Sequence, residues 1–196
     1  MRKKIATFLT ESEIDDILRQ PNRTTLAGKR DYAILFLMIF TGLRRNEICT
    51  LRRGDLVNEK KHFWLFVWGK GGKQRKIPIR NLELIEGIAQ YWKKAGIPDD
   101  PNSPAFLTLG RKGQNDIRPI SWKVIRGIVD KHARLAKITK RVHPHCLRHT
   151  FITHALRKSS DLPAVQALAG HSSIKSTQVY LHTDDDRMER AIKMMG

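Results

Sequence analysis

The sequence predicts an α+β fold, mainly helical with one small antiparallel sheet, on three observations. Apolar residues recur at helical spacing behind capping residues over most of the chain. Only Phe63-Trp64-Leu65-Phe66-Val67-Trp68 is dense in aromatic and β-branched residues, and glycines follow it at 69, 71 and 72, as in one arm of a hairpin. The 196 residues are enough to bury one proper core, so a single domain over residues 1–196 is expected.

Thr10 and Glu13 form a capping box, and Ile14, Ile17 and Leu18 follow at helical spacing, so a first helix is expected over Glu11–Arg19, ended by Pro21. Residues 30–40 are apolar nearly all round, as in a core helix, and break at Thr41-Gly42. A short helix is expected over 46–51. The strand at 63–68 then turns through the glycines into a second strand beginning at Lys76-Ile77-Pro78-Ile79. Asn81 caps a helix toward Tyr91, residues 105–109 read as a short strand, and Ser121 caps a helix to about Leu135. The last third is helical: 145–157, 161–169 with Pro163 in its first turn, 174–181 and 185–194.

Lysine and arginine number 37 against 19 acidic residues, a formal net charge of +18. Such a field attracts polyanions, nucleic acid above all. An anionic membrane surface is the competing partner, but the longest apolar run, 33–40, is far too short to span a bilayer. The basic start Arg2-Lys3-Lys4 lacks the apolar stretch of a secretion signal. Two cysteines, Cys49 and Cys146, make no disulfide framework and suit a reducing cytoplasm, so a cytoplasmic protein without membrane attachment is expected.

Four segments concentrate cations, histidines and glycines. Thr41-Gly42-Leu43-Arg44-Arg45-Asn46-Glu47-Ile48 places arginines where a helix starts after a glycine break. Gly69-Lys70-Gly71-Gly72-Lys73-Gln74-Arg75 gathers cations at a hairpin tip. In His143-Pro144-His145-Cys146-Leu147-Arg148-His149, His145 and Arg148 share a helix face. The spacing of His145 and His149 would also suit two zinc ligands, but no Glu-rich or Cys-rich partner accompanies them. Finally, Leu168-Ala169-Gly170-His171-Ser172-Ser173-Ile174 precedes Thr177-Gln178-Val179-Tyr180. Taken singly, each can be explained without chemistry: a surface arginine on a helix turn, a solvated β-turn, local contacts at a helix start, and a tyrosine in core packing or on the surface.

Together they resemble the active-site boxes of the tyrosine recombinases, the phage-integrase family, and its Xer-like branch above all. "TGLRRNEI" is similar to the first arginine box, "GKGGKQRKIPI" to the β-hairpin lysine box and "HPHCLRHTFITHAL" to the His-x-x-Arg box. "LAGHSSIKSTQVYLH" resembles the box with the second histidine and the nucleophile. His171 stands 23 positions after Arg148 and Tyr180 nine after His171, similar to the family's spacings. Ala169 replaces a usual leucine, and Cys146 a usual basic or polar residue. The family's separate N-terminal DNA-clamping domain is expected to be absent.

The resemblance implies a tyrosine-recombinase catalytic domain that cleaves and rejoins DNA through a 3′-phosphotyrosyl intermediate. It implies catalytic roles for Arg44, Lys70, His145, Arg148, His171 and Tyr180, with Glu47 in support and Arg45, Lys73 and Arg75 as DNA contacts. Double-stranded DNA is the implied partner, with self-association into a dimer or tetramer on it. No cofactor or metal is implied, because arginine and lysine supply the charge that magnesium supplies in nucleases. The competing readings are a type IB topoisomerase-like nicking enzyme and a non-catalytic DNA-binding accessory protein.

Overall fold

A computed structural model describes residues 7–60, 62–110 and 118–170, with Lys70 described by its backbone alone. Seven α-helices, two single-turn 3-10 helices and three strands occur among them, the α-helices and strands being α1 (Glu11–Arg19), α2 (Leu26–Thr41), α3 (Arg45–Thr50), β1 (Leu56–Glu59), β2 (His62–Trp68), β3 (Gln74–Ile79), α4 (Leu82–Ala95), α5 (Trp122–Leu135), α6 (Pro144–Ser159) and α7 (Leu162–Ala169). The α+β expectation holds. The helices expected at 174–181 and 185–194 lie outside the described residues.

Helix α2 is the hub, with Ile34, Leu35, Leu37 and Met38 all but sealed from solvent. It packs on α4 and α6, and also touches α1 and α5. It starts four residues earlier than its apolar run suggests, because Thr25 caps it by accepting from the Gly28 N–H. It is also less purely apolar than expected. Arg30, Asp31 and His132 are all buried. Arg30 donates to Asp31 at 2.8 Å, His132 Nε2 lies 3.0 Å from the other carboxylate oxygen, and Arg30 also donates to the Leu107 carbonyl. Arg30 and Asp31 thus each have the opposite charge as partner, and His132 adds a hydrogen-bond contact to the same carboxylate.

The sheet is antiparallel in the order β1-β2-β3. β2 pairs Leu65 with Ile77 and Val67 with Arg75, so Leu65, Val67, Ile77 and Ile79 line the buried face. Two sequence expectations are corrected. The second hairpin strand begins at Gln74 rather than Lys76, and the two-residue period then puts Arg75 on the inward side with Ile77 and Ile79. No strand forms at 105–109, where isolated bridges join Arg52 to Pro104 and Leu107 to Pro119. Both prolines occupy the non-hydrogen-bonded position of their bridge, where the bonds are made by the flanking residues, Arg53 to Ser103 and Ala105 to Leu51 in the first, Thr108 to Arg118 and Ile120 to Phe106 in the second, so the N–H that proline lacks is not used there.

Candidate active site

Helix α2 ends at Gly42, which adopts the left-handed conformation at φ 65°. A Cβ there would come within 2.4 Å of the Phe151 ring, so only glycine lets the chain turn this close to α6. The turn aims the Gly42 carbonyl at α6, where Arg148 donates to it at 2.5 Å. It also delivers Arg44 to the N-terminus of α3, whose capping box closes with Glu47 accepting from the Arg44 backbone at 2.7 Å.

Helix α6 begins with Pro144 in its first turn and His143 as cap, whose Nδ1 accepts from the Cys146 N–H at 3.1 Å. This start places His145 at the exposed helix tip and Arg148 one turn inside, where it is buried. Helix α7 is capped by Asp161 and ends at Gly170, again left-handed at φ 65°. Space is tight here too, since a Cβ on Gly170 would lie 2.9 Å from the Arg75 guanidinium.

Three arginines from three different elements converge on that helix end. Arg75 donates from Nε to the Leu168 carbonyl at 2.9 Å, Arg148 to the Ala169 carbonyl at 2.6 Å and Arg44 to the Gly170 carbonyl at 2.8 Å. The last carbonyls of a helix have no partner within it and carry its partial negative charge. Here each of three successive ones accepts from a different guanidinium.

Glu47 supplies the full negative charge. Both of its oxygens accept from Arg75, at 2.9 and 2.8 Å, and one also accepts from Arg44 at 2.9 Å. Its side chain is 6% exposed and that of Arg75 11%, whereas that of Arg44 is 36% exposed. Burial alone would raise the Glu47 carboxyl. The hydrogen bond from Arg75, that from the Arg44 backbone and the adjacent positive charge outweigh it, leaving the carboxyl below its ordinary value. Burial and then repulsion from Arg44 pull Arg148 down to about 10, which still leaves it charged at neutral pH.

The result is a half-exposed cation, Arg44, above a layer in which Glu47 offsets part of the charge of Arg75 and Arg148. Arg44 faces a cleft of about 890 Å³ bounded also by Trp68, Lys73, Gln74 and Gly170. Each terminal guanidinium nitrogen of Arg44 and Arg148 carries two N–H groups and gives one of them to Glu47 or a backbone carbonyl.

His145 sits beside this layer. Desolvation of the covered part of its ring, followed by repulsion from Arg45, His143, Arg148 and Arg44, lowers its pKa below the ordinary value. His149 shifts the same way for the same first reason. Among the described residues no group of three His, Cys, Asp or Glu side chains could hold a metal ion.

Arg44, Glu47, Lys73, Arg75, His145 and Arg148 are thus all described, whereas His171, Tyr180 and the Lys70 side chain lie outside the described residues. Arg45 stacks over Trp122 with its guanidinium carbon 5.0 Å from the ring centroid. Arg75 is not at the solvated hairpin tip where its sequence neighbours suggest, but is clamped on Glu47. The signal for this was its two-residue phase with Ile77 and Ile79. The carbonyls of α7 left no trace in the sequence, because they are backbone atoms.

Neutralising Glu47 gives a measurable prediction. Glu47→Gln leaves three neighbouring guanidiniums, of which Arg148 is buried and Arg75 largely covered, without their carboxylate. Unfolding free energy should fall by about 3–5 kcal/mol, the range for breaking a buried pair by removing one partner, as read from urea denaturation at neutral pH. The folded carboxyl titrates below its unfolded value, so its contribution is complete above the unfolded value and is lost as pH falls through the folded one. The variant should therefore show a shallower loss of stability in acid than the parent.

The model of the phage integrase family matches residues 7–187. A tyrosine recombinase of Pseudothermotoga lettingae is 37% identical over 195 residues, covering 100% of this chain and 63% of that protein. The tyrosine recombinase XerC of Bacillus pumilus is 35% identical over 191 residues, covering 96% and 61%. The crystal structure of XerA recombinase superposes with a TM-score of 0.77 at 26% identity, over 98% of this chain and 66% of that one. The chain spans about six-tenths of the length of the curated relatives it matches.

Proposed function

Because the chain belongs to the phage integrase family, we propose that it carries the catalytic machinery of a site-specific DNA recombinase that cuts and rejoins strands through Tyr180. The observation that carries this reading is the convergence of Arg44, Arg75 and Arg148 on the end of α7, immediately before His171 in the chain. A preorganised pair of guanidinium forks at one point is what a phosphodiester in transition demands, since negative charge builds on its non-bridging oxygens.

In the proposed reaction the Tyr180 oxygen attacks phosphorus, forming the phosphotyrosyl bond while the bond from phosphorus to the 5′ oxygen breaks. His145 accepts the phenolic proton and Lys70 donates one to the leaving 5′ oxygen. Arg44, Arg148 and His171 bind the non-bridging oxygens. Glu47 and Arg75 touch no reacting atom in this scheme. They hold Arg44 and Arg148 in place, which moves Arg75 from the DNA contacts to the positioning residues. Attack by a 5′-hydroxyl of a second strand reverses every step, so rejoining needs no external energy source. Double-stranded DNA is the substrate, and exchange between two sites calls for assembly of more than one copy on it.

A nicked suicide duplex, from which the 5′ fragment diffuses away, tests this directly. A denaturation-stable protein–DNA adduct should accumulate in the presence of EDTA. Absence of adduct on DNA carrying the protein's own site would sink the recombinase reading in favour of an accessory DNA-binding protein. Adduct together with supercoil relaxation but no two-site exchange would favour the topoisomerase-like alternative.

The lowered pKa of His145 predicts the pH profile. A base must be neutral to accept a proton, so cleavage at subsaturating DNA, which reports the free enzyme, should stay constant as pH falls until it reaches the histidine. The rate should then drop with a midpoint below the ordinary 6.5. His145→Gln should be slow and lack that acid limb; persistence of the limb would move the base to another group.

A further inference from the structure

Trp68 is set apart from the other three tryptophans of the chain. Each of those has a cation of the protein over its ring: Lys76 lies 4.1 Å from the centroid of Trp64, Arg53 4.6 Å from that of Trp92 and Arg45 5.0 Å from that of Trp122. Among the described residues nothing comparable covers Trp68, which is 56% exposed. It is not on a loose segment. Trp68 is the last residue of β2, paired with Gln74 across the hairpin, and follows Val67, which is 2% exposed.

The indole lines the same cleft as Arg44, Lys73 and Arg75. A large apolar ring held open to water on a paired strand, beside cations that attract a phosphate backbone, combines the two elements of a single-strand binding platform: charge for the backbone and a π-face for a base. A fully paired duplex keeps its base faces stacked and offers none to such a ring.

We propose that Trp68 is a stacking platform for an unpaired base next to the scissile phosphate, a substrate-binding residue of this site. The inference rests on the strand-transfer reading, in which a cleaved 5′ end must leave its complement before it can join another strand. Trp68 would hold a base exposed by that separation, while Arg44 and Lys73 face the adjoining backbone. Its share of affinity is then specific to unpaired DNA, unlike the charge-driven share, which every duplex receives.

The test compares two duplexes of identical length and flanks, one fully paired and one with a short central bubble containing 2-aminopurine. Binding is followed by anisotropy and stacking by quenching of the 2-aminopurine. The parent chain should quench the probe and prefer the bubble. Trp68→Ala should weaken bubble binding by about 5- to 100-fold, the loss of one base–aromatic stack, with the paired duplex changed by less than roughly twofold and the quench lost. Trp68→Phe should keep most of both.

Equal weakening on both probes, or no quench by the parent chain, would overturn the proposal. Thermal melts of both variants, expected to match the parent, control for folding. Quenching that depends on Trp68, in a protein that forms no adduct on the suicide duplex, supports the stacking role and removes the strand-transfer reading. Adduct formation with no Trp68 effect on the bubble does the reverse.

Discussion

Tyr180→Phe should abolish covalent attachment to a suicide duplex while leaving DNA affinity within about twofold. The substitution removes one oxygen from a chain whose net charge of +18 supplies most of the attraction for DNA by counterion release. No other group in the proposed scheme can take over, since the cations of the cluster are bound to carbonyls and a carboxylate and carry no nucleophilic oxygen. Activity should fall below detection on denaturing gels, and filter binding at fixed salt should be near that of the parent. An adduct formed by this variant would remove Tyr180 from the nucleophile role without touching the geometry of the arginines.

Lys70→Ala should slow cleavage by about 10²- to 10⁴-fold, the typical contribution of a positioned acid, and should be rescued when sulfur replaces the bridging 5′ oxygen. An alkoxide is a poor leaving group, with water's pKa near 15.7 as a guide, whereas a thiol of pKa about 8.5 departs without a proton. Arg44→Ala should not be rescued, because its charge acts on oxygens that the sulfur leaves unchanged. Lys73 shares the hairpin turn and lines the cleft, so Lys73→Ala belongs in the same experiment. Rescue of Lys73→Ala alone would transfer the acid role to Lys73.

The residues in these experiments were legible at different depths. The bounds of α1, Glu11–Arg19, and the cap and end of α5, Ser121 and Leu135, follow from the sequence because capping and helical periodicity act within a few residues of the chain. The hairpin was legible for the same reason, being one aromatic strand beside a glycine turn. The family was legible because its boxes are short, ordered runs of residue types.

Contacts between distant parts of the chain decided the rest. β1, half of it polar, is a strand because β2 offers it an edge, while the stretch at 105–109 has strand-like residues but meets its neighbours only at single bridges. Arg30 and Asp31 lie inside an otherwise apolar helix, and His132, 101 positions from Asp31, makes their burial tolerable. Arg75 looks in sequence like its neighbour Lys73, yet the pairing of β3 turns Arg75 inward to Glu47 and leaves Lys73 exposed on the cleft that both line. A guanidinium is spent on a carboxylate or left for a phosphate according to what the fold brings within about 3 Å of it, and that distance is set by elements far apart in the chain.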